Sequence, residues 1–320
     1  MIPSEKIITL AVVCFGGLFA LAGVVLWEGN STSSQLLRAV SPSDIESTDD
    51  HLFISEKNDI EKKIFSAEAF LVVLVQKDGT EKILTDKNKN RLLPIASISK
   101  LVTALVAREQ YRAEETVTIS ETALQGRASS TVYHVGDRFL FSDILYPLLL
   151  ASHNEIANVL AEKAGTERFV DTMNQKAQEL GLRDTFFVNV SGLDTATSTD
   201  KINISTASDV IELVRYIGRN NPDILAVTGQ KEFELSDVNK KFVAKIVNTN
   251  RLVSQGNLPF HIIAGKTGET PRAKQNLVIV AEAPCAGTLF AVLLGSKDRF
   301  FDMEEMLDTA FHLNDWSCGV

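Results

Sequence analysis

The spacing of apolar positions changes several times along the chain, and each change marks an element. At 67–75, "AEAFLVVLV" is an almost unbroken apolar run. A turn at Asp78-Gly79 follows, and "ILTDKNKN" (83–90) continues as a second strand. At 99–111, "SKLVTALVAREQY" places Leu101, Ala104 and Leu105 at helical spacing, which predicts a core helix. The stretch 141–165, "FSDILYPLLLASHNEIANVLAEKAG", reads as two helical pieces interrupted at Ser152-His153-Asn154. An amphipathic helix over 167–182 has Gly181 as its stop. Another, over 205–218, carries serine and threonine near its start and Gly218 at its end. Strand patterns then return at 259–268, 275–283 and 288–296, and a helix over 301–313 closes the chain. No internal repeat is present.

Two strands, a series of helices, three strands and a final helix make an α+β pattern. It predicts one five-stranded antiparallel sheet in which the first two strands join the last three, flanked by helices. The central helices form a lobe beside it, and the cleft between sheet and lobe is the expected place for a site.

The N-terminus has a different pattern. Residues 7–27, "IITLAVVCFGGLFALAGVVLW", carry no charge and would span roughly 31 Å as a helix, enough to cross a bilayer core. Lys6 precedes the run and Glu28 follows it, a bias that keeps the short N-terminus in the cytoplasm. Ala20-Leu21-Ala22 is a competing signal-peptidase site, and cleavage after Ala22 would release the rest of the chain. Either way the remainder is exported. Residues 28–65 are rich in serine, threonine and acidic residues and read as a flexible stalk. The expected organisation is therefore 1–6 cytoplasmic, 7–27 transmembrane signal-anchor, 28–65 stalk, 66–316 globular domain and 317–320 tail.

Composition narrows the function. Of 320 residues, 45% are hydrophobic and 23% charged, and the formal net charge of −9 argues against nucleic acid as a partner. The five histidines are scattered, with no H-E-x-x-H, so no metal site is expected. Of the three cysteines, Cys14 lies in the apolar segment. Cys285 and Cys318 are either one disulfide or two thiols.

Three short motifs carry candidate chemistry. In "PIASISKLVT" (94–103), Ser97 stands three residues before Lys100, and Ser99 stands beside it. Positions three apart share a helix face and adjacent ones do not, so Lys100 reaches Ser97 and not Ser99. A serine becomes a nucleophile when a base stands next to it, and a buried lysine can be that base. The competing reading is serine caps at a helix start. A second Ser-x-x-Lys, Ser198 to Lys201, falls in a polar run, so the spacing alone decides little. In Ser152-His153-Asn154, a hydroxyl and an amide interrupt apolar helices. They are either an ordinary helix break or a proton relay with an amide-binding group. Lys266-Thr267-Gly268 ends an apolar strand with a charge, a hydroxyl and a residue that lets a ligand backbone approach.

Taken together and in this order, Ser-x-x-Lys, Ser-x-Asn and Lys-Thr-Gly resemble the motif set of penicillin-binding proteins and class A β-lactamases. The flanking text "LPIASISKLVTA", "LLLASHNEIANVLAE", "GLRDTFFVNVSGLD", "IAGKTGET" and "LLGSKDRFFDMEEML" resembles the D-alanyl-D-alanine carboxypeptidase family over about 66–316. The resemblance implies a DD-peptidase/β-lactamase-like fold and a serine carboxypeptidase that needs no cofactor or metal. It implies Ser97 as nucleophile, Lys100 as general base, Ser152 as proton relay and Lys266 as electrostatic support. It implies an oxyanion site at the backbone N–H groups of Ser97 and Glu269. Asn154 would hold a substrate amide, and Lys266, Thr267, Gly268 and Arg299 would line the binding site of the terminal carboxylate. The implied partners are a peptidoglycan pentapeptide, β-lactam antibiotics as covalent inhibitors, and the membrane through the N-terminal helix, with the catalytic domain outside the cell membrane. Glu269 departs from the family pattern, which has a neutral residue there. A carboxylate at 269 either repels an anionic substrate or retunes the pH response. "TPRAKQN" lacks the glycine common after this motif, and the family's second β-rich domain and C-terminal anchor are not found. The rivals are a class A-like β-lactamase, which would need a glutamate that "TFFVNVSGLD" does not supply, a DD-endopeptidase, and a degenerate membrane-tethered sensor.

Overall fold

The computed structural model describes residues 65–125, 132–197, 201–255, 258–283, 287–312, 314 and 316. The segments read as cytoplasmic N-terminus, signal-anchor, stalk (but for Phe65) and C-terminal tail lie outside the described residues, as do all three cysteines and Ser198. Among the described residues, no helix is long and apolar enough to cross a membrane.

The chain opens with the expected hairpin, β1 (Ala69–Val75) and β2 (Glu81–Lys87). β3 (Leu93–Pro94) leads through a 3-10 turn (Ala96–Ser99) into α1 (Lys100–Gln110). The helical lobe then adds β4 (Thr116–Thr118), α2 (Glu121–Leu124), β5 (Arg138–Leu140), α3 (Phe141–Leu149), α4 (Asn154–Glu162) and α5 (Thr166–Glu179). β6 (Ile204–Ser205), α6 (Ala207–Asn220), α7 (Pro222–Thr228) and the hairpin β7 (Glu232–Ser236) with β8 (Phe242–Val247) complete the central part. The chain returns to the sheet as β9 (His261–Thr270), β10 (Lys274–Ala283) and β11 (Gly287–Ser296), then closes with α8 (Arg299–His312).

The main sheet has the order β2-β1-β11-β10-β9, antiparallel throughout, so the first two strands do join the last three. Both faces of its middle are covered, and this is why β1 reads as a continuous apolar run rather than an alternating one. Successive side chains of a strand point to opposite faces. Ala69, Leu71 and Val73 enter the cluster that includes α1 and the helical lobe. Phe70, Val72 and Leu74 enter a second cluster with Met303, Met306 and Leu307 of α8. α1 is buried from Lys100 through Ala107, which makes it the central helix of the larger cluster.

Several boundaries differ from the sequence expectation. The second strand begins two residues earlier, at Glu81, and the closing helix at Arg299 rather than 301. Gly218 does not end its helix. α6 runs on to Asn220, and a Cβ at 218 would stand 3.2 Å from Leu225 Cδ1, so the missing side chain serves the packing of α6 on α7. α7 and the β7–β8 hairpin were not anticipated.

Candidate active site

Ser97 lies in the 3-10 turn and not in the α-helix proper, which starts at Lys100. Neither serine caps a helix. Ser99, at the N-cap of α1, makes no side-chain cap bond. Its Oγ donates to the Ala96 carbonyl at 2.7 Å and accepts from Asn203 Nδ2 at 2.9 Å. The turn is held in a strained form, with Ala96 at φ +48°. Two backbone segments press on it. A Cβ at Gly192 would stand 1.9 Å from the Ala96 carbonyl oxygen, and one at Gly268 would stand 2.7 Å from that of Ile95. Gly268 was expected to make room for a ligand backbone. In the structure it makes room for the chain's own turn.

Lys100 is fully buried. Its Nζ lies 2.8 Å from Ser97 Oγ, 2.8 Å from Asn154 Oδ1 and 2.7 Å from the Ser191 carbonyl. Desolvation, and then the charge of Lys266, push its pKa well below the ordinary lysine value, against a smaller upward pull from Glu155. A neutral amine has two N–H donors and one lone pair. In the neutral form the Asn154 and Ser191 oxygens, which can only accept, take both donors and the lone pair faces the Ser97 hydroxyl; in the charged form the third N–H donates to Ser97 Oγ. The neutral form is the arrangement of a base set to receive the serine proton.

Between α3 and α4 the chain crosses a short non-helical break. Ser152 sits at φ +62° and His153 is the N-cap of α4, with no side-chain cap bond, so Ser152 is not a cap either. Ser152 Oγ accepts from Lys266 Nζ at 2.9 Å. Lys266 is also buried and donates to the Thr267 carbonyl at 3.0 Å. Burial, reinforced by the nearby Arg299 charge, lowers its pKa to about 7. Because Asn154 spends its oxygen on Lys100, what it can offer a ligand is its Nδ2 donor. His153 turns away from the serine and bonds Tyr133 through Nδ1 at 2.7 Å.

Thr267, Glu269 and Arg299 meet at the edge strand β9. Thr267 Oγ1 lies 2.6 Å from Thr249 Oγ1, which itself donates to the Leu150 carbonyl at 3.0 Å. Arg299, at the start of α8, donates from Nη1 to the Gly268 carbonyl at 2.9 Å and from Nη2 to Glu269 Oε2 at 2.7 Å. The side chain of Arg299 is 13% exposed and that of Glu269 56%. A cavity of about 410 Å³, lined by Gly229 and His261 among others, lies at the other end of β9 and includes none of these groups.

All three motifs therefore come together, through Lys100–Ser97, Lys100–Asn154 and Lys266–Ser152 contacts. Residue types alone did not reveal Ser191, whose contribution is a backbone carbonyl, or Thr249 and Asn203, which act on Thr267 and Ser99. The only signal for the first was "VNVSGLD", whose Gly192 takes φ +82° beside the serine turn.

The family model for D-alanyl-D-alanine carboxypeptidases, peptidase family S11, matches residues 57–298. The chain belongs to this family. It is 33% identical to D-alanyl-D-alanine carboxypeptidase DacF of Bacillus subtilis, over 76% of this chain and 62% of that protein. It is 32% identical to a D-alanyl-D-alanine endopeptidase of Pseudomonas aeruginosa, over 64% of this chain and 65% of that protein. The match thus spans less than two thirds of the length of either relative. Penicillin-binding protein D2 from Listeria monocytogenes, solved in a cefotaxime-bound form, superposes with a TM-score of 0.65 at 26% identity, over 78% of this chain and 98% of that one. These likenesses carry the DD-peptidase fold with its five-stranded antiparallel sheet.

Proposed function

We propose that this chain is a serine-type D-Ala-D-Ala carboxypeptidase that acts on peptidoglycan stem peptides through an acyl-enzyme on Ser97. The observation that carries this reading is the fully buried Lys100 amine, its Nζ 2.8 Å from Ser97 Oγ and within hydrogen-bond distance of the Asn154 Oδ1 and Ser191 carbonyl oxygens, with desolvation pushing its pKa down. Ser97 Oγ attacks the carbonyl of the penultimate D-alanine as its proton passes to Lys100. The new Oγ–C bond leaves an oxyanion, held by the backbone N–H groups of Ser97 and Glu269. Collapse of that intermediate breaks the C–N bond, and the leaving D-alanine amine takes a proton through Ser152, with Lys266 beside it. Water then releases the shortened peptide. Asn154 Nδ2 holds a substrate carbonyl, and the peptide lies along the free edge of β9 as an added strand. β-Lactams acylate the same serine and hydrolyse slowly. The domain 66–316 works outside the cell membrane, tethered by 7–27, with 28–65 as its spacer. Deleting 1–28 from the gene should move penicillin-labelled protein from the membrane fraction to the soluble one.

The test of the nucleophile is intact mass after penicillin treatment of the wild type, Ser97→Ala and Ser99→Ala. One adduct is expected in wild type and Ser99→Ala and none in Ser97→Ala. Adduct persisting in Ser97→Ala would sink the assignment. The similarity to a named endopeptidase supports a second reading, cleavage of D-Ala cross-links. Purified cross-linked dimers incubated beside pentapeptide separate the two by which one is consumed.

A further inference from the structure

The two N–H groups of the proposed oxyanion site come from different elements, Ser97 from the 3-10 turn and Glu269 from β9. They can hold one oxygen only if their separation is fixed. The loop 188–194 touches both elements. On the serine side, Asn203 Oδ1 accepts from the Val188 and Asn189 N–H groups at 2.8 and 3.1 Å. Its Nδ2 donates to the Asn189 carbonyl at 2.8 Å and to Ser99 Oγ at 2.9 Å. Asn189 Oδ1 in turn accepts from the Gly192 N–H at 2.7 Å. Gly192 thus rests on the turn, where a Cβ would stand 2.9 Å from the Ser97 nitrogen. Two residues on, Asp194 reaches the other side. Its Oδ1 accepts from Thr270 Oγ1 at 2.8 Å, and its Oδ2 from the Arg272 N–H at 3.0 Å. Thr270 is buried, ends β9 and follows Glu269 directly. Its hydroxyl also accepts from the Ala273 N–H at 3.1 Å, so one carboxylate holds both the end of β9 and the turn into β10.

We infer that Asp194 is a positioning residue of the oxyanion site: it clasps the end of β9 to the loop that bears on the serine turn, and so fixes the Glu269 N–H relative to that of Ser97. The inference rests on the serine-peptidase reading above. The clasp needs its two hydrogen bonds and not a negative charge. An asparagine can keep both contacts, with Oδ1 accepting from the Arg272 N–H and Nδ2 donating to Thr270 Oγ1, whereas an alanine loses both. Small displacements of a positioned group are costly in rate, so a slackened β9 should be felt at the reacting carbonyl.

The experiment compares the full chain with Asp194→Asn, Asp194→Ala and, as a destabilised control in the β1–β2 turn, Gly79→Ala. Each is acylated with benzylpenicillin, unlabelled or isotopically labelled at its β-lactam carbonyl. Intact mass scores the adduct and stopped flow the acylation rate. The infrared difference between labelled and unlabelled adducts isolates the new ester carbonyl. Hydrogen bonds to that oxygen lower its stretching frequency, so the band reports on the two N–H donors rather than on overall stability. Wild type, Asp194→Asn and Gly79→Ala are expected to share one band position. In Asp194→Ala the band should move to higher frequency and acylation should slow about ten- to hundredfold, somewhat less than outright loss of an oxyanion donor. A residue that only stabilises the fold would leave the band in place. A band at the wild-type position in acylated Asp194→Ala therefore overturns the inference alone, whatever the rate. If Asp194→Ala does not fold or does not acylate, Thr270→Val, which leaves Asp194 only its Arg272 bond, is read in the same way. Absence of any adduct in the wild type overturns the serine-peptidase reading, and this inference with it.

Discussion

At the scale of single residues, the site depends on two lysines that the fold keeps out of water, Lys100 at 0% and Lys266 at 1% exposure. In the proposed reaction they have opposite tasks: Lys100 must be neutral to take a proton, and Lys266 must be charged to support Ser152 and an anionic intermediate. Replacing Lys100 with Met should therefore lower the acylation rate by about 10²- to 10⁴-fold, the usual worth of a general base. The pH profile of kcat/KM should rise as Lys100 loses its proton and fall above about 7, where Lys266 loses its charge. Since Arg299 is one of the two causes that lower the Lys266 pKa, Arg299→Gln should move the alkaline limb toward higher pH. Stopped-flow acylation by a chromogenic cephalosporin from pH 5 to 9 reads this directly, and an alkaline limb that stays in place in Arg299→Gln would refute it. The Ser97/Lys100 partnership was legible from its three-residue spacing only in company with Ser152-His153-Asn154 and Lys266-Thr267-Gly268 further along the chain. The second and third partners of Lys100 were not equally so. Asn154 has an identity in the sequence, while Ser191 acts through a carbonyl that any residue would supply.

At the scale of elements, the serine turn is shaped by contacts between backbones. Gly192 approaches the Ala96 carbonyl so closely that a Cβ would fall 1.9 Å from its oxygen. Gly192→Ala should therefore cost at least ~3 kcal/mol, from the positive φ and the backbone clash together. Gly79 offers the matched control. It also has positive φ, +87°, but a Cβ there meets nothing within 4 Å. Gly79→Ala should cost only about 1 kcal/mol. Urea unfolding of both variants compares the two costs, and equal losses would show that the contact at Ala96 does not matter. The same contrast explains which elements the sequence revealed. β1, β10 and β11 are buried on both faces and announce themselves as apolar runs. The β7–β8 hairpin carries mostly exposed or half-buried positions, with Leu235 and Ile246 as its fully buried anchors, so its alternation was too sparse to read. Gly218 looked like a stop because the sequence alone does not distinguish a glycine that ends a helix from one that lets two helices touch.

At the scale of the whole molecule, placing two lysines in the core couples global stability to pH. That the first two strands join the last three in one antiparallel sheet, with a helical lobe beside it, was legible from the order of apolar runs; the strand order and the seat of α8 on the opposite face come from the structure. The energetic consequence of the site was not legible, since it depends on burial. An unfolded lysine titrates near 10.5, whereas folded Lys266 titrates at about 7 and folded Lys100 well below 10.5. Between those values the unfolded chain binds more protons than the folded one. Unfolding then takes up protons, and stability rises with pH. The penalty for burying charged Lys266 is fully present below about 7 and is relieved as pH climbs above it. Above 10 the buried tyrosines Tyr111 and Tyr133, whose pKa values are raised by burial, reverse the trend, so the useful window closes at about 9.5. Calorimetry across pH 7 to 9.5 should show the wild-type Tm rising by roughly 3 °C per pH unit for each lysine that titrates there. Lys266→Met removes one of those groups, so its Tm should rise less steeply over the same window. Parallel slopes in the two proteins would mean that Lys266 keeps its proton in the folded state, and the alkaline limb of the rate profile would need another source, while the charge that Lys266 sets against Lys100 would persist.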